Sequence, residues 1–136
     1  MKVFLDANIL FSASDPRSAT RQLLDAVVDH GEAVTCVHAW EEARRNLEQK
    51  HPSRLPGFAL LKKRVKISSA FALLPAVGLP DSDAPILSGS VGSGCTHLWT
   101  SDKRHFGMLY GRSICGVQVV SSIQLANELL ERGWKP

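Results

Sequence analysis

Two aspartates in this chain stand where an apolar run meets a turn, a costly place for a charge unless something positive pairs with it. Asp6 closes Val3-Phe4-Leu5 and is followed at once by Ala7-Asn8-Ile9-Leu10, while Asp102 closes His97-Leu98-Trp99-Thr100-Ser101. A turn or helix cap is the bland alternative for each. Two strand-end carboxylates in one small domain point instead to a shared site. Asp83 and its near neighbour Asp81 lie at a helix start, where capping competes with function. Glu41 and Glu42 sit beside Arg44 and Arg45 in what reads as a solvated helix face, and helical phase does not choose between the two glutamates.

Carboxylates brought within a few ångströms repel and raise one another's pKa unless a cation neutralises them. An all-oxygen donor set suits hard ions such as Mg²⁺ or Mn²⁺ and disfavours zinc. Such an ion leaves room for water and phosphate oxygens, so the chemistry on offer is in-line attack of acidified water on phosphorus. Cysteine and histidine offer no rival centre. Cys36, Cys95 and Cys115 are an odd number at wide spacing with no CxxC, and read as buried structural thiols in a reducing cytoplasm. The five histidines lack metal-ligand spacing, and none is assigned to catalysis.

The elements that must position these acids follow from periodicity. Lys2–Leu5 is a buried first strand leading into a turn, and Asp15-Pro16 reads as an N-cap with proline at the first helical position. Ala19, Leu23 and Val27 form the core stripe of that helix, which Gly31 ends. A strand over Ala33–Val37 follows, then a helix carrying Trp40, Ala43 and Leu47 that His51-Pro52 closes. Phe58, Leu61 and Val65 suit an amphipathic helix exposing Lys62, Lys63, Arg64 and Lys66, and Phe71–Leu74 is either a short strand or a loop. Ser82 or Asp83 caps the next helix, which has Pro85 in its first turn and fades into Gly92 and Gly94. His97–Thr100 and Val117–Val120 are strands, and Ser121 or Ser122 caps a last helix ending before Gly133. Strands alternating with helices imply an α/β layer fold with a mainly parallel sheet, in which ligands bind beyond the carboxyl ends of the strands. Asp6 and Asp102 both lie at such ends.

The bulk properties agree. The length suits one domain, an apolar fraction of 44% fills a core, and a formal charge of +3 permits a phosphate-rich partner without demanding one. No apolar run approaches the roughly 20 residues of a membrane span, and Asp6 interrupts any signal-peptide core, so no membrane role is expected.

Four segments, in order along nearly the whole chain, resemble the motifs of the PIN-domain family. Met1-Lys2-Val3-Phe4-Leu5-Asp6-Ala7-Asn8-Ile9-Leu10 is similar to the family's first strand and puts Asp6 in its first acidic position. Glu41-Glu42-Ala43-Arg44-Arg45-Asn46-Leu47 is similar to the second-helix motif, whose second glutamate is the ligand, favouring Glu42. Leu79-Pro80-Asp81-Ser82-Asp83-Ala84-Pro85-Ile86-Leu87 aligns Asp83 with the mid-chain acid, and Trp99-Thr100-Ser101-Asp102-Lys103-Arg104-His105-Phe106-Gly107 assigns Asp102 to the last. Ala7 stands where Thr or Ser is common, Ser101 where Gly or Asn is frequent, and Arg104 where some members carry a further acid. The resemblance implies a single domain over 1–136 with a three-layer α/β/α fold around a central, mainly parallel sheet. It also implies a Mg²⁺- or Mn²⁺-dependent ribonuclease with Asp6, Glu42, Asp83 and Asp102 as metal ligands. RNA is then the substrate, a homodimer the assembly, and an antitoxin protein the partner if the chain is of the toxin type, a property of genomic context.

Asn8, Thr100 and Ser101 flank the acids and are candidates to orient water or phosphate; ordinary turn hydrogen bonds would serve equally. Lys103, Arg104 and His105 follow Asp102 directly and could meet substrate phosphate. Arg44 and Arg45 could do likewise or pair with nearby acids. A receiver-like Mg²⁺-binding signalling domain is the main rival, yet only one acid follows the first strand and no mid-chain strand ends in Asp. A dehalogenase-like phosphatase would need an acid where Asn8 stands. A nuclease-inactive RNA-binding PIN module is the third reading, which the intact acidic set disfavours.

Overall fold

The computed structural model describes residues 1–74 and 83–136. Six strands form one sheet in the order β3-β2-β1-β4-β6-β5: β1 (Lys2–Leu5), β2 (Glu32–Cys36), β3 (Val65–Ser68), β4 (His97–Trp99), β5 (Ser113–Ile114) and β6 (Val117–Val120). All neighbours run parallel except β5, which returns antiparallel to β6 as a short edge hairpin. In β1 the consecutive side chains of Val3, Phe4 and Leu5 are all fully buried. Alternate residues of a strand point to opposite faces, so both faces of the sheet are covered, as a parallel sheet requires.

The helices are α1 (Ala7–Ala13), α2 (Ala19–His30), α3 (Val37–Lys50), α4 (Leu55–Leu60), α5 (Ala84–Gly92), α6 (Lys103–Phe106) and α7 (Ser122–Glu131). Ser18 caps α2, accepting from Arg21 N–H, and Ser121 caps α7 in a reciprocal box with Gln124. Gly31 ends α2 where a β-carbon would lie 1.9 Å from the Met1 carbonyl oxygen, so only glycine lets the chain pass under β1 into β2. No helix among the described residues is long and apolar enough to cross a membrane.

Several expectations need correcting. The chain does not turn after Asp6 but enters α1 directly, with Asp6 as its cap. Asp15-Pro16 lies in a preceding turn and does not cap α2. Val65 belongs to β3, because the 55–60 helix tightens through a 3-10 turn at Leu61–Lys63 and becomes strand. Phe71–Leu74 is neither helix nor strand, and is tied to α5 by reciprocal hydrogen bonds between Ala72 and Ser88. Of the thiols only Cys95 is buried; Cys36 is half-buried and Cys115 exposed in the β5–β6 turn. Asp81 and Ser82 lie outside the described residues.

Candidate functional site

Asp6 ends β1, and its carboxylate turns back to cap α1: Oδ1 accepts from Ala7 N–H at 2.7 Å. Its other oxygen accepts from the Thr100 hydroxyl at 2.8 Å, joining the ends of β1 and β4. Burial pushes this carboxyl up to about 6; the two hydrogen bonds oppose the rise, and the charges of Glu42 and Asp83 add to it. Capping and site chemistry are therefore not alternatives at Asp6. The same carboxylate does the first and is placed for the second.

Thr100 is the pivot of the loop. Fully buried, it also accepts Asp102 N–H at 3.1 Å through its hydroxyl, and its carbonyl accepts from the Tyr110 phenol at 2.9 Å. Asn8 Oδ1 accepts Ser101 N–H at 3.1 Å, a second clasp between the two strand ends. Asp102 caps the short α6, its Oδ1 accepting His105 N–H at 3.1 Å. Asp83 precedes α5 and makes no side-chain capping bond. Burial raises its carboxyl above the usual range, with His105 opposing and Asp102 adding.

On α3 the two glutamates part company. Glu41 accepts from Arg44 at 2.8 and 3.0 Å, and those bonds hold its carboxyl below the usual range. Arg44 also pairs with Glu48, so this arginine is spent on its own helix. Glu42 instead lines a cleft of about 340 Å³ at the carboxyl end of the sheet, together with Asp6, Asn8, Asp83 and Asp102. Depressions of about 400 and 450 Å³ lie elsewhere, one walled by Lys62, Lys63, Arg64 and Lys66 and one by Asp15, His51 and Arg54. Neither gathers more than one carboxylate, so donor chemistry rather than size marks the site.

The four predicted acids thus meet in one cleft. Thr100, Ser101, Lys103 and Arg104 do not line it, and the Thr100 hydroxyl is fully engaged. Asn46 and Lys50 also line it and were not singled out from the sequence, whereas His105 was named there only as a contact for substrate phosphate. Asn46 and Lys50 follow Glu42 at i+4 and i+8, so helical spacing alone would have found them. His105 is reached only through space: its Nδ1 lies 2.7 Å from Asp83 Oδ2 and 3.0 Å from Asp102 Oδ2. Both Asp83 Oδ2 and His105 Nδ1 are buried, and apart from these close contacts neither has a hydrogen-bond partner. Ligand atoms of Asp83, Asp102 and His105 all fall within 4.8 Å of one another. Clustered carboxylates and orphaned buried donor atoms are what a cation would satisfy, so these residues fit a divalent metal.

The sheet order and the strand-end cleft define a PIN-like fold. Two solved structures share it. VapBC2 from Rickettsia felis, bound to a DNA fragment from their promoter, superposes with a TM-score of 0.64 at 14% identity, covering 89% of this chain and 98% of that one. VapBC-1 from nontypeable Haemophilus influenzae does so with a TM-score of 0.58 at 14% identity, over 90% and 99%. Identity at this level carries the fold alone. The sequence matches no family model and no curated protein.

Proposed function

We propose that this chain is a divalent-metal-dependent ribonuclease and the toxin member of a toxin–antitoxin pair. The observation that carries the proposal is the convergence of Asp6, Glu42, Asp83 and Asp102 on one cleft in a PIN-like fold. Those four residues would hold Mg²⁺ or Mn²⁺. When bound, the ion supplies Lewis acidity: it acidifies water and offsets the charge that develops at phosphorus. Asp6 enters with its geometry already set by Ala7 and Thr100, so little ordering remains to be done on binding. Lys50 at the cleft wall is a cation within reach of a substrate phosphate, and Asn46 a neutral donor. Without metal the cleft is an acidic surface that repels a polyanion, so RNA binding as well as cleavage should need the ion.

The toxin role is supported by the neighbours, which are complexes of a toxin with its antitoxin. An antitoxin protein and a homodimer are accordingly proposed as partners; a monomer by light scattering would remove the second, and no inhibition by the neighbouring gene's product the first. The deciding experiment is incubation of a mixed RNA pool with purified protein in Mg²⁺, Mn²⁺ or EDTA, with Asp6→Asn as control. Cleavage should need a divalent ion and vanish in the variant. Equal cutting in EDTA would sink the mechanism, while metal-dependent binding without cutting would favour the nuclease-inactive module.

A further inference from the structure

We infer that His105 is a nitrogen ligand of this site and gives it a preference for Mn²⁺ over Mg²⁺, an inference that rests on the metal-site reading above. The four acids form an all-oxygen set, and oxygen sets scarcely separate the two ions by donor type. His105 changes the donor chemistry. Its backbone N–H is bound to Asp102 Oδ1, so the root of the side chain is fixed relative to one proposed ligand. Its ring then lies with Nδ1 2.7 Å from Asp83 Oδ2 and 3.0 Å from Asp102 Oδ2.

A simple counter-ion would turn its N–H onto one carboxylate. Here the buried Nδ1 is shared between the two, within 3.0 Å of an oxygen of each and aligned as a full hydrogen bond to neither. An imidazole nitrogen held close to two carboxylates at once, rather than turned onto one, is arranged as a third donor converging with them. Neutral imidazole suits first-row transition ions, whereas Mg²⁺ keeps to oxygen and gives up water reluctantly. The site is thereby a mixed nitrogen–oxygen one, with Mn²⁺ as the ion that both donor types accept.

The test uses the untagged full chain and two readouts that do not involve cleavage. Pulsed electron paramagnetic resonance of the Mn²⁺-loaded wild type should report directly coordinated ¹⁴N, and His105→Ala and His105→Gln should lose that signal. Calorimetric titration should give Mn²⁺ at least about tenfold tighter than Mg²⁺ in the wild type. His105→Ala should weaken Mn²⁺ about tenfold and move Mg²⁺ by less than about threefold, the scale on which one well-placed ligand acts. The resonance measurement on wild type needs no variant, so it decides the matter even if a substitution prevents folding. Wild type that binds Mn²⁺ with no nitrogen coupling would overturn the inference and leave the carboxylate site standing. So would an affinity loss equal for both ions. Wild type that binds neither ion would overturn the metal site itself, and His105 with it.

Discussion

Replacing Asp6 by asparagine tests whether its carboxylate is a strained charge or a comfortable cap. The side chain is 4% exposed, and its pKa rises from the ordinary 3.8 to about 6, burial being the largest cause. At about 1.4 kcal/mol per pH unit, ionising it costs the metal-free fold about 3 kcal/mol at neutral pH. The sign follows from linkage. The folded state holds this proton more tightly than the unfolded state, so the protein is most stable below about pH 4 as far as Asp6 is concerned. That stability is lost as pH rises through about 6.

Asparagine removes the charge but points an amide at the Thr100 hydroxyl, which already accepts Asp102 N–H, at a cost of about 1.5 kcal/mol. The net effect at pH 7.5 in EDTA is a gain of about 1.5 kcal/mol, or roughly 5 °C in Tm for a domain of this size. At pH 4.5 only about 1 kcal/mol of the penalty remains, so the two proteins should melt within roughly 2 °C of each other. Thermal melts followed by circular dichroism at both pH values check this. Mg²⁺ should then stabilise wild type more than the variant, by mass action. A variant that melts below wild type by the same amount at both pH values would refute the strained charge and leave only the cap.

Thr100→Val should cost about 2–4 kcal/mol in denaturant unfolding, since it leaves Asp102 N–H without its partner and Asp6 Oδ2 with only the long 3.5 Å contact from the Asn8 amide; a loss below about 1 kcal/mol would show that the pivot role is overstated. Lys50→Ala should raise KM about fivefold with kcat nearly unchanged, the worth of one phosphate contact, and leave the Mg²⁺-induced rise in Tm intact; a fall in kcat alone would place Lys50 elsewhere in the chemistry. Cys115 sits at φ 50 ahead of Gly116 at φ 86 in the two-residue turn of the β5–β6 hairpin. Asparagine suits that left-handed position, so Cys115→Asn should stabilise by about 0.5–1 kcal/mol, and a lower unfolding midpoint would count against the turn assignment.

Much of the fold was legible because burial leaves a plain trace: Val3-Phe4-Leu5 and Val117–Val120 read as strands, and Leu23, Leu24 and Val27 as a helix stripe that is indeed buried. The acids at the ends of β1 and β4 were legible for the same reason, as charges at the edge of apolar runs. The failures have local causes. Ala7–Ala13 is too short and too uniformly apolar to display a helical period, so its cap was taken for a turn. Phe58, Leu61 and Val65 keep helical spacing while the backbone changes from helix to 3-10 turn to strand. A two-residue strand such as Ser113–Ile114 exists only through its partner. His105 was read only as a phosphate contact, because spacing along the chain says nothing about Asp83, which reaches it across the fold. Helical phase left Glu41 and Glu42 open and only the resemblance favoured Glu42; the physical difference is Arg44, which occupies Glu41.

The clasp between Thr100 and Asp6 spans 94 positions of sequence, and β4, which carries it, enters the sheet between β1 and β6. A ribosome making this chain therefore completes the β1–β2–β3 half well before the strand that orients Asp6 exists. Contacts of such range form late, because the loop they close must be ordered first. If the cleft cuts RNA as proposed, a nascent chain is without that activity until the residues from His97 to Asp102 have been made and folded onto β1. Chains ending before His97 should accordingly leave an RNA pool intact in Mg²⁺, and cleavage by such a fragment would refute the dependence on late assembly.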